Sequence, residues 1–361
     1  MATIKSVQSG TVTIADNSAS NTATITSVTT ANSFLMFTVR HNNASVRDTR
    51  DTKVRGVLTN STTVTFDRDD AASGQGTCVL SWFVIEYTSG VTVQRGTVAG
   101  INATTHNVTI TAVTLAQSWP IVSQQGVTSY DYGYADTVQA EITTTTNLAL
   151  TVAGNASTHD FAWQVIDYTG ASVQKITKAL ANTGTSQTST ITSVTTTQTF
   201  LQGSYYQATI ATIYAGQWWT AYLSDVSTIT YTCYENQGKD ANAITYVISS
   251  SEFGVTRYQT SLTNVQTSKT QSVSPAISDT TKTFLKIGSL HHQSWMRTTE
   301  NPFDGYMRKV QFNGIITNTT TLTFVRGESG FAGDVYSELV QITAGAAASP
   351  TFNAILFGFN Y

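Results

Sequence analysis

Histidine is a residue type that metal sites and proton transfer often use, and its positions here point to neither. The chain has five histidines: His41, His106, His159, His291 and His292. They follow no HExxH spacing, and the adjacent pair would point to opposite faces of a strand, so a single site could not readily use both. The sequence also contains no GxSxG motif, no phosphate-binding loop and no calcium-loop spacing. We therefore expect a non-enzymatic protein with no catalytic residues, no metal and no cofactor.

Two aromatic stretches are better candidates for a functional surface. Trp218 and Trp219 are adjacent, and Tyr130, Tyr132 and Tyr134 recur at every second position. Aromatic side chains in exposed loops stack on sugar faces or fill interfaces, whereas in cores they pack. These five residues are candidates for glycan binding, with packing in the core as the alternative.

An internal repeat of about 81 residues must position all of these groups. The stretch Trp82–Tyr87, followed by a turn at Gly90 and by Val91–Arg95, predicts a strand, a turn and a second strand. It returns at Trp163–Tyr168, 81 positions later, and in weaker form 82 positions further at Thr245–Ile248. A period this steady indicates a repeat architecture.

Other landmarks recur in the same order. Each copy opens on a strand that bears Gln and continues with an alternating strand, which is Thr-Ile-Thr in the first three copies and the looser Val273–Ile277 in the fourth. A large apolar residue follows in each copy: Phe34, Trp119, Phe200 and Phe284. A Thr-rich turn then leads into a half-buried strand near Phe66, Leu150, Tyr231 and Phe324.

The pattern predicts an all-β protein of four tandem antiparallel β-sandwich repeats of about 80–105 residues. Thr alternates with Ile or Val, which places Thr on the wet face of a sheet and the aliphatic residue inside. The predicted units are residues 1–90, 91–171, 172–254 and 255–361, the last with an extra C-terminal strand. Their linkers are too short to act as loose tethers, so we expect a semi-rigid rod, or a compact stack if the units fold back on each other.

The outer repeats carry most of the charge. Residues 1–96 and 257–361 each hold eight Lys or Arg side chains, against one in 97–175 and two in 176–256. In the first unit these side chains include Arg47, Arg50, Lys53 and Arg55. They form either a solvated loop or a salt-bridging contact to a neighbouring protein.

The chain closes on an apolar stretch that has no following repeat to join. Its apolar residues are Phe352, Ile355, Leu356, Phe357, Phe359 and Tyr361. This predicted strand either pairs with its own sheet or adds to the sheet of another subunit.

Composition excludes some classes of partner. The net charge of −3 argues against nucleic-acid binding, and no run of about 18 apolar residues predicts a membrane span. The N-terminus lacks the regions of a signal peptide, so we expect synthesis in a cytoplasm. Cys78 and Cys233 are then expected to be reduced strand residues, with a disulfide as the alternative. Glu86 and Asp167 share one repeat position, which favours a strand-end carboxylate that bonds to a neighbour over a catalytic one.

These landmarks resemble repeat proteins of tailed-bacteriophage virions. The resemblance is carried by the Leu58–Thr65 and Trp82–Tyr87 strands and by the returning Val93–Gly96. The plan of each unit, with an opening Gln-Gly strand, a middle aromatic residue and a late Trp-bearing strand, is also similar to that of H-type lectin sandwiches. No lectin sugar site is carried over, because no residues here match one.

The resemblance implies a non-enzymatic structural protein of the virion, made in the host bacterial cytoplasm. It would serve as a capsid decoration, collar or tail accessory and act through protein–protein contacts. Its partners would be other virion proteins of the capsid, portal, collar or tail, and further copies of itself in a homo-oligomer. The alternative is a tail fibre or lectin-like adhesin that binds a surface glycan or receptor.

Overall fold

The computed structural model is all-β and describes ten ranges of the chain. These are residues 1–42, 52–69, 76–126, 134–154, 158–181, 184–208, 218–233, 240–290, 297–298 and 307–343. Some of the residues singled out above lie outside these ranges: Arg47, Arg50, Tyr130, Tyr132, His291, His292 and the C-terminal apolar residues.

Strands β1–β25 follow in chain order. The first repeat contains β1 (Thr3–Ile14), β2 (Ser20–Thr24), β3 (Ser33–His41), β4 (Arg55–Asn60), β5 (Thr63–Asp67) and β6 (Cys78–Ser89). The second contains β7 (Val91–Ile101), β8 (Thr105–Thr109), β9 (Ser118–Gln124), β10 (Gln139–Thr144), β11 (Asn147–Thr151) and β12 (His159–Tyr168). The third contains β13 (Ser172–Leu180), β14 (Ser186–Thr190), β15 (Thr199–Gln207), β16 (Thr220–Leu223), β17 (Thr228–Thr232) and β18 (Ala241–Ser249).

The fourth repeat has two additional short elements. It contains β19 (Phe253–Leu262), β20 (Ser268–Ser272), β21 (Thr283–Ile287), β22 (Arg297–Thr298), α1 (Met307–Val310), β23 (Asn313–Asn318), β24 (Thr321–Val325) and β25 (Gly333–Ile342). Single-turn 3-10 helices occur at Thr30–Asn32, Leu115–Gln117, Tyr134–Asp136, Thr196–Gln198 and Thr280–Lys282.

Each repeat folds into two antiparallel sheets, here called the inner and the outer sheet. In repeat 1 the inner sheet has the order β1–β6–β3 and the outer sheet the order β2–β5–β4. The other repeats follow the same plan, with β22 added beside β25. The Thr-rich stretch that predicted a turn and one strand is the tip of the β4–β5 hairpin and of its equivalents.

The central strands of the inner sheets are buried on both faces. On β6, Trp82 and Val84 pack in the core between the two sheets of repeat 1. Phe83 and Ile85, on the opposite face, enter a cluster to which all four repeats contribute. A strand buried on both faces reads as a continuous apolar run, which explains why Trp82–Tyr87 is the most recognisable stretch of the repeat.

Four equivalent aromatic residues meet in the shared cluster. Trp119 lies 6.0 Å from Phe200, Phe200 lies 6.1 Å from Phe284, and Phe284 lies 6.4 Å from Phe34, all as ring-centroid distances with near-perpendicular planes. Edge-to-face contacts of this kind add to the free energy gained by burial. One residue from each repeat therefore lies at the common centre.

The four repeats close into a ring. The first strand of each repeat contacts the 3-10 helix of the preceding one: β7 contacts Thr30–Asn32, β13 contacts Leu115–Gln117, and β19 contacts Thr196–Gln198. The same contact joins β1 to Thr280–Lys282, so repeat 4 also packs against repeat 1. Of the two expectations, the rod is wrong, because it would leave the second face of the inner sheets in water, and the compact arrangement of units that fold back on each other is closer to the structure.

In three repeats, a glutamine of the first strand forms two hydrogen bonds to the segment that follows the second strand. Gln8 accepts a hydrogen bond from Thr26 N at 2.7 Å and donates to Thr26 O at 2.8 Å. Gln94 and Gln174 make the same pair of bonds to Thr111 and Thr192. Gln259 is not their equivalent, because it donates to Asp334 instead.

Two of the repeats pair a glycine with a tryptophan across the inner sheet. Gly10 lies opposite Trp82, and Gly96 lies opposite Trp163. A Cβ added at Gly10 would lie 2.6 Å from Trp82 Cζ2, and one at Gly96 would lie 2.7 Å from Trp163 Cζ2. In repeat 3 the larger residue is on the first strand and the smaller one on the last strand, with Ile176 opposite Thr245.

We expect Gly10→Ala to lower the free energy of unfolding by about 1–3 kcal/mol, because the added methyl group must displace a buried indole ring. Urea denaturation followed by tryptophan fluorescence measures this change. Gly254→Ala is the matched control, since its new Cβ would have no neighbour closer than 3.8 Å. Equal losses in the two variants would show that glycine is kept at position 10 for a reason other than the tryptophan.

Candidate functional site at the junctions between repeats

Lys53 lies at the junction between repeats 1 and 2 rather than in an exposed loop. It is fully buried and donates to Gln124 Oε1 at 3.0 Å and to the carbonyl oxygen of Asp136. Burial lowers the pKa of Lys53 to about 8, against a smaller opposing effect of the Asp136 carboxylate. The predicted contact of Lys53 with a neighbouring protein is therefore wrong, because Lys53 contacts the next repeat of the same chain.

Arg55 belongs to the same junction. Its guanidinium forms a bidentate pair with Asp67, with Nε–Oδ1 and Nη2–Oδ2 distances of 3.0 and 2.8 Å. Gln125 of repeat 2 donates to the same carboxylate at 2.9 Å. The charge of Arg55 is thus matched inside the chain.

A basic residue on the first strand fastens three of the four repeats to the one before. Arg95 donates to the carbonyl oxygens of Thr30 and Ser33, at the 3-10 helix of repeat 1. Arg257 does the same at Thr196 and Thr199 of repeat 3. At the equivalent position in repeat 3, Lys175 reaches Glu141 Oε1 of repeat 2 at 2.6 Å.

A hydrogen bond from a backbone amide to a side-chain hydroxyl recurs at three of the four junctions. Gly56 N donates to Ser123 Oγ at 3.2 Å, Ala140 N to Ser204 Oγ at 2.8 Å, and Gly314 N to Thr38 Oγ1 at 3.2 Å. In each case the amide belongs to an outer-sheet edge strand that lies directly on the inner sheet of the following repeat.

The junction between repeats 3 and 4 departs from this pattern. The position equivalent to Thr38, Ser123 and Ser204 is Gly288, which has no side chain to accept the bond. Its φ of +62° ends strand β21 early and turns the chain, so that Leu290 packs in the core of repeat 3. Among the described residues, the edge strand β16 meets the inner sheet of repeat 4 through the side chain of Tyr222, and its backbone lies less closely on β21 and β25 than the edge strands do at the other junctions.

A cavity of about 230 Å³ lies between repeats 3 and 4 at this junction. Its walls are Ala221, Tyr222 and Leu223 from repeat 3, and Arg257, Tyr258, Gln259, Lys286, Gly288, Ser289, Tyr336, Ser337 and Glu338 from repeat 4. The rings of Tyr222 and Tyr336 stack across the junction at a centroid distance of 5.0 Å. Gln259 is exposed and both stacked tyrosines are half-buried, so the cavity reaches the surface at this edge.

Three charged residues form a row across the inner sheet of repeat 4 beside this cavity. Arg257 and Lys286 both lie opposite Glu338 in the strand register. The corresponding row in repeat 1 is Ser9, Phe83 and Met36. The fold therefore accepts uncharged residues here, and the charges of repeat 4 need a separate explanation.

Two members of the row contact each other and repeat 3. Arg257 Nε lies 3.2 Å from Glu338 Oε1, and Glu338 Oε2 accepts a hydrogen bond from Leu201 N at 3.1 Å. Gln164 makes the equivalent bond to Leu35 N at the junction of repeats 1 and 2. The Arg257–Glu338 pair therefore belongs to the joint between repeats.

Lys286 is left without such a partner. Its side chain is buried, with an exposed fraction of 5%, and its ammonium donates to Gly288 O at 2.5 Å. It forms no ion pair with a carboxylate of the described residues. Burial lowers the pKa of Lys286 to about 8, and the nearby charge of Glu338 opposes this shift.

The aromatic residues proposed for glycan binding are placed differently. Trp218 and Trp219 are buried, with exposed fractions of 5% and 1%, so their expected exposure in a loop is wrong and their packing role is correct. Tyr134 begins a 3-10 helix, but its side chain is not among those described. Sequence reasoning also missed Lys286, whose only signal was a lysine where the other repeats have Met, Ile or Gln.

The remaining polar candidates have structural partners. Glu86 accepts hydrogen bonds from Lys5 Nζ and Thr29 N, and Asp167 accepts one from Thr114 N. Cys78 and Cys233 lie in the separate cores of repeats 1 and 3 and form no disulfide. Across the described ranges, no three His, Cys, Asp or Glu side chains lie close enough together to hold a metal ion.

We expect Lys286→Met to change how stability depends on pH. Between pH 8 and 10.5 the unfolded chain retains a proton on Lys286 that the folded chain has released, so the free energy of unfolding rises with pH in this window. The variant lacks this contribution, and Met36 shows that the fold accepts methionine at the equivalent position.

Urea denaturation at pH 8, 9 and 10 measures the effect. The free energy of unfolding of the wild type minus that of the variant should increase steadily over this series. Lys282→Met removes a more exposed lysine of the same repeat and controls for the loss of a surface charge. A wild-type minus Lys286→Met difference that is independent of pH would contradict the prediction.

No protein-family model matches this chain, and no curated protein matches it. Within the described ranges, no helix has the length and apolar character needed to cross a membrane.

Proposed function

We propose that the protein is a non-enzymatic structural component of a tailed-bacteriophage virion, such as a capsid decoration, collar or tail accessory. It acts there through protein–protein contacts with other virion proteins and with further copies of itself. The resemblance of its repeat landmarks to virion proteins supports this assignment.

The observation that carries the proposal is the use of charge at the junctions. Lys53, Arg95, Lys175 and Arg257 each bind a neighbouring repeat, so these four basic side chains help to hold the ring together. Arg55 acts indirectly, because it pairs with the Asp67 carboxylate that accepts a hydrogen bond from Gln125 of repeat 2. A body fastened in this way can transmit load without changing shape, which suits a structural role.

The C-terminal apolar stretch is the proposed means of attachment. The described chain ends at Thr343, whose amide donates to Glu252 O at 2.8 Å in the linker between repeats 3 and 4. Met1 lies near Gly170 and Ala2 lies near Gly90, so Met1, Thr343 and the linkers between repeats share one face of the ring. We propose that residues 344–361 bind a partner subunit from this face.

The alternative is a glycan- or receptor-binding adhesin. Trp218 and Trp219 no longer support it, because both are core residues. Tyr130, Tyr132 and Tyr134 remain candidates for that role.

Size-exclusion chromatography with light scattering tests the structural proposal. We expect the full chain to form a homo-oligomer and a chain that ends at Thr343 to be a monomer with an unchanged melting temperature. The truncated chain should also be absent from purified particles in which the full chain is found. An oligomer of the same size after truncation would refute attachment through residues 344–361, and absence of the full chain from particles would refute the virion assignment.

A further inference from the structure

The cavity between repeats 3 and 4 has features that ring closure does not require. Three junctions bring an outer edge strand directly onto the next inner sheet, and this one leaves about 230 Å³ between them. A well-packed interior contains few voids larger than a water molecule. Because a water molecule takes up about 30 Å³ in the liquid, this space has room for roughly seven.

The charge at the cavity wall is equally unexplained by the fold. Burying an ammonium group is costly unless an opposite charge compensates it. The carboxylate of Glu338 forms an ion pair with Arg257, at an Nε–Oε1 distance of 3.2 Å, and accepts a hydrogen bond from Leu201 N at 3.1 Å; it forms no hydrogen bond with Lys286. Lys286 has three donor hydrogens, and the contacts of the described residues use one of them, on Gly288 O.

We propose that this cavity is a binding site for a small carboxylate no larger than a monosaccharide, with Lys286 as its anchoring charge. A ligand carboxylate would give the buried ammonium the partner that it lacks, through a charge-assisted hydrogen bond. The tyrosine rings of the wall supply apolar surface for the rest of the ligand.

Size defines the ligand further. Sites for drug-sized molecules span about 300–1,000 Å³, and this cavity is smaller. A uronic or sialic acid, either free or at the end of a glycan, carries a carboxylate on a body of suitable size. The site is independent of the proposed virion attachment, which uses other residues.

Isothermal titration calorimetry with D-glucuronate and N-acetylneuraminate tests the proposal on the full chain, with D-glucose as the neutral probe. We expect one site per chain for at least one of the acids and no binding of glucose. Lys286→Met should weaken that binding at least tenfold, whereas Lys282→Met should leave it unchanged. Lys286→Gln provides a second variant, because Gln202 occupies the equivalent position in repeat 3.

Sialyllactose distinguishes the two sources of the carboxylate. Binding of sialyllactose as well as the free acid would identify a glycan terminus as the ligand, and binding of the free acid alone would identify a small soluble carboxylate. Failure of both acids to bind, or equal binding by wild type and both Lys286 variants, would overturn the proposal.

Discussion

The need to bury both faces of every inner sheet governs this protein. One face of each inner sheet is covered by its own outer sheet, which makes a sandwich. The other face is apolar too, and only the remaining repeats can cover it. Closure into a ring satisfies all four sheets at once, with Phe34, Trp119, Phe200 and Phe284 at the common centre.

The junctions show how one fold can be varied without being lost. Gly10 opposite Trp82 and Ile176 opposite Thr245 fill similar space with different residues. At Gly288, in contrast, the chain turns and places Leu290 in the core of repeat 3, and a cavity lies beside the turn. When the sequence of one repeat diverges in this way, the protein gains a feature, here a cavity, that the other repeats lack.

Much of the fold could be predicted from sequence, because Thr–Ile alternation and the Trp82–Tyr87 run reflect local burial. The closure of the ring could not, since an apolar run indicates that a strand is buried but not what covers it. The role of Lys53 was misjudged, and the choice between glycan binding and packing stayed open for Trp218, for a related reason: charge and aromaticity suggest a surface function only when exposure is known. Lys286 escaped notice because its importance depends on the space beside it.

Ring closure also makes one junction unlike the other three. The backbone runs through the junctions at Gly90, Gly170 and Glu252, but repeats 4 and 1 are joined by non-covalent contacts alone, among them the Gly314–Thr38 hydrogen bond and the Phe284–Phe34 ring contact. At the first three, a short linker keeps separated repeats close together and favours their return. The junction between repeats 4 and 1 has no such linker. We therefore expect the ring to open first at this junction under heat or force. The strength of its contacts then limits the mechanical stability of the ring.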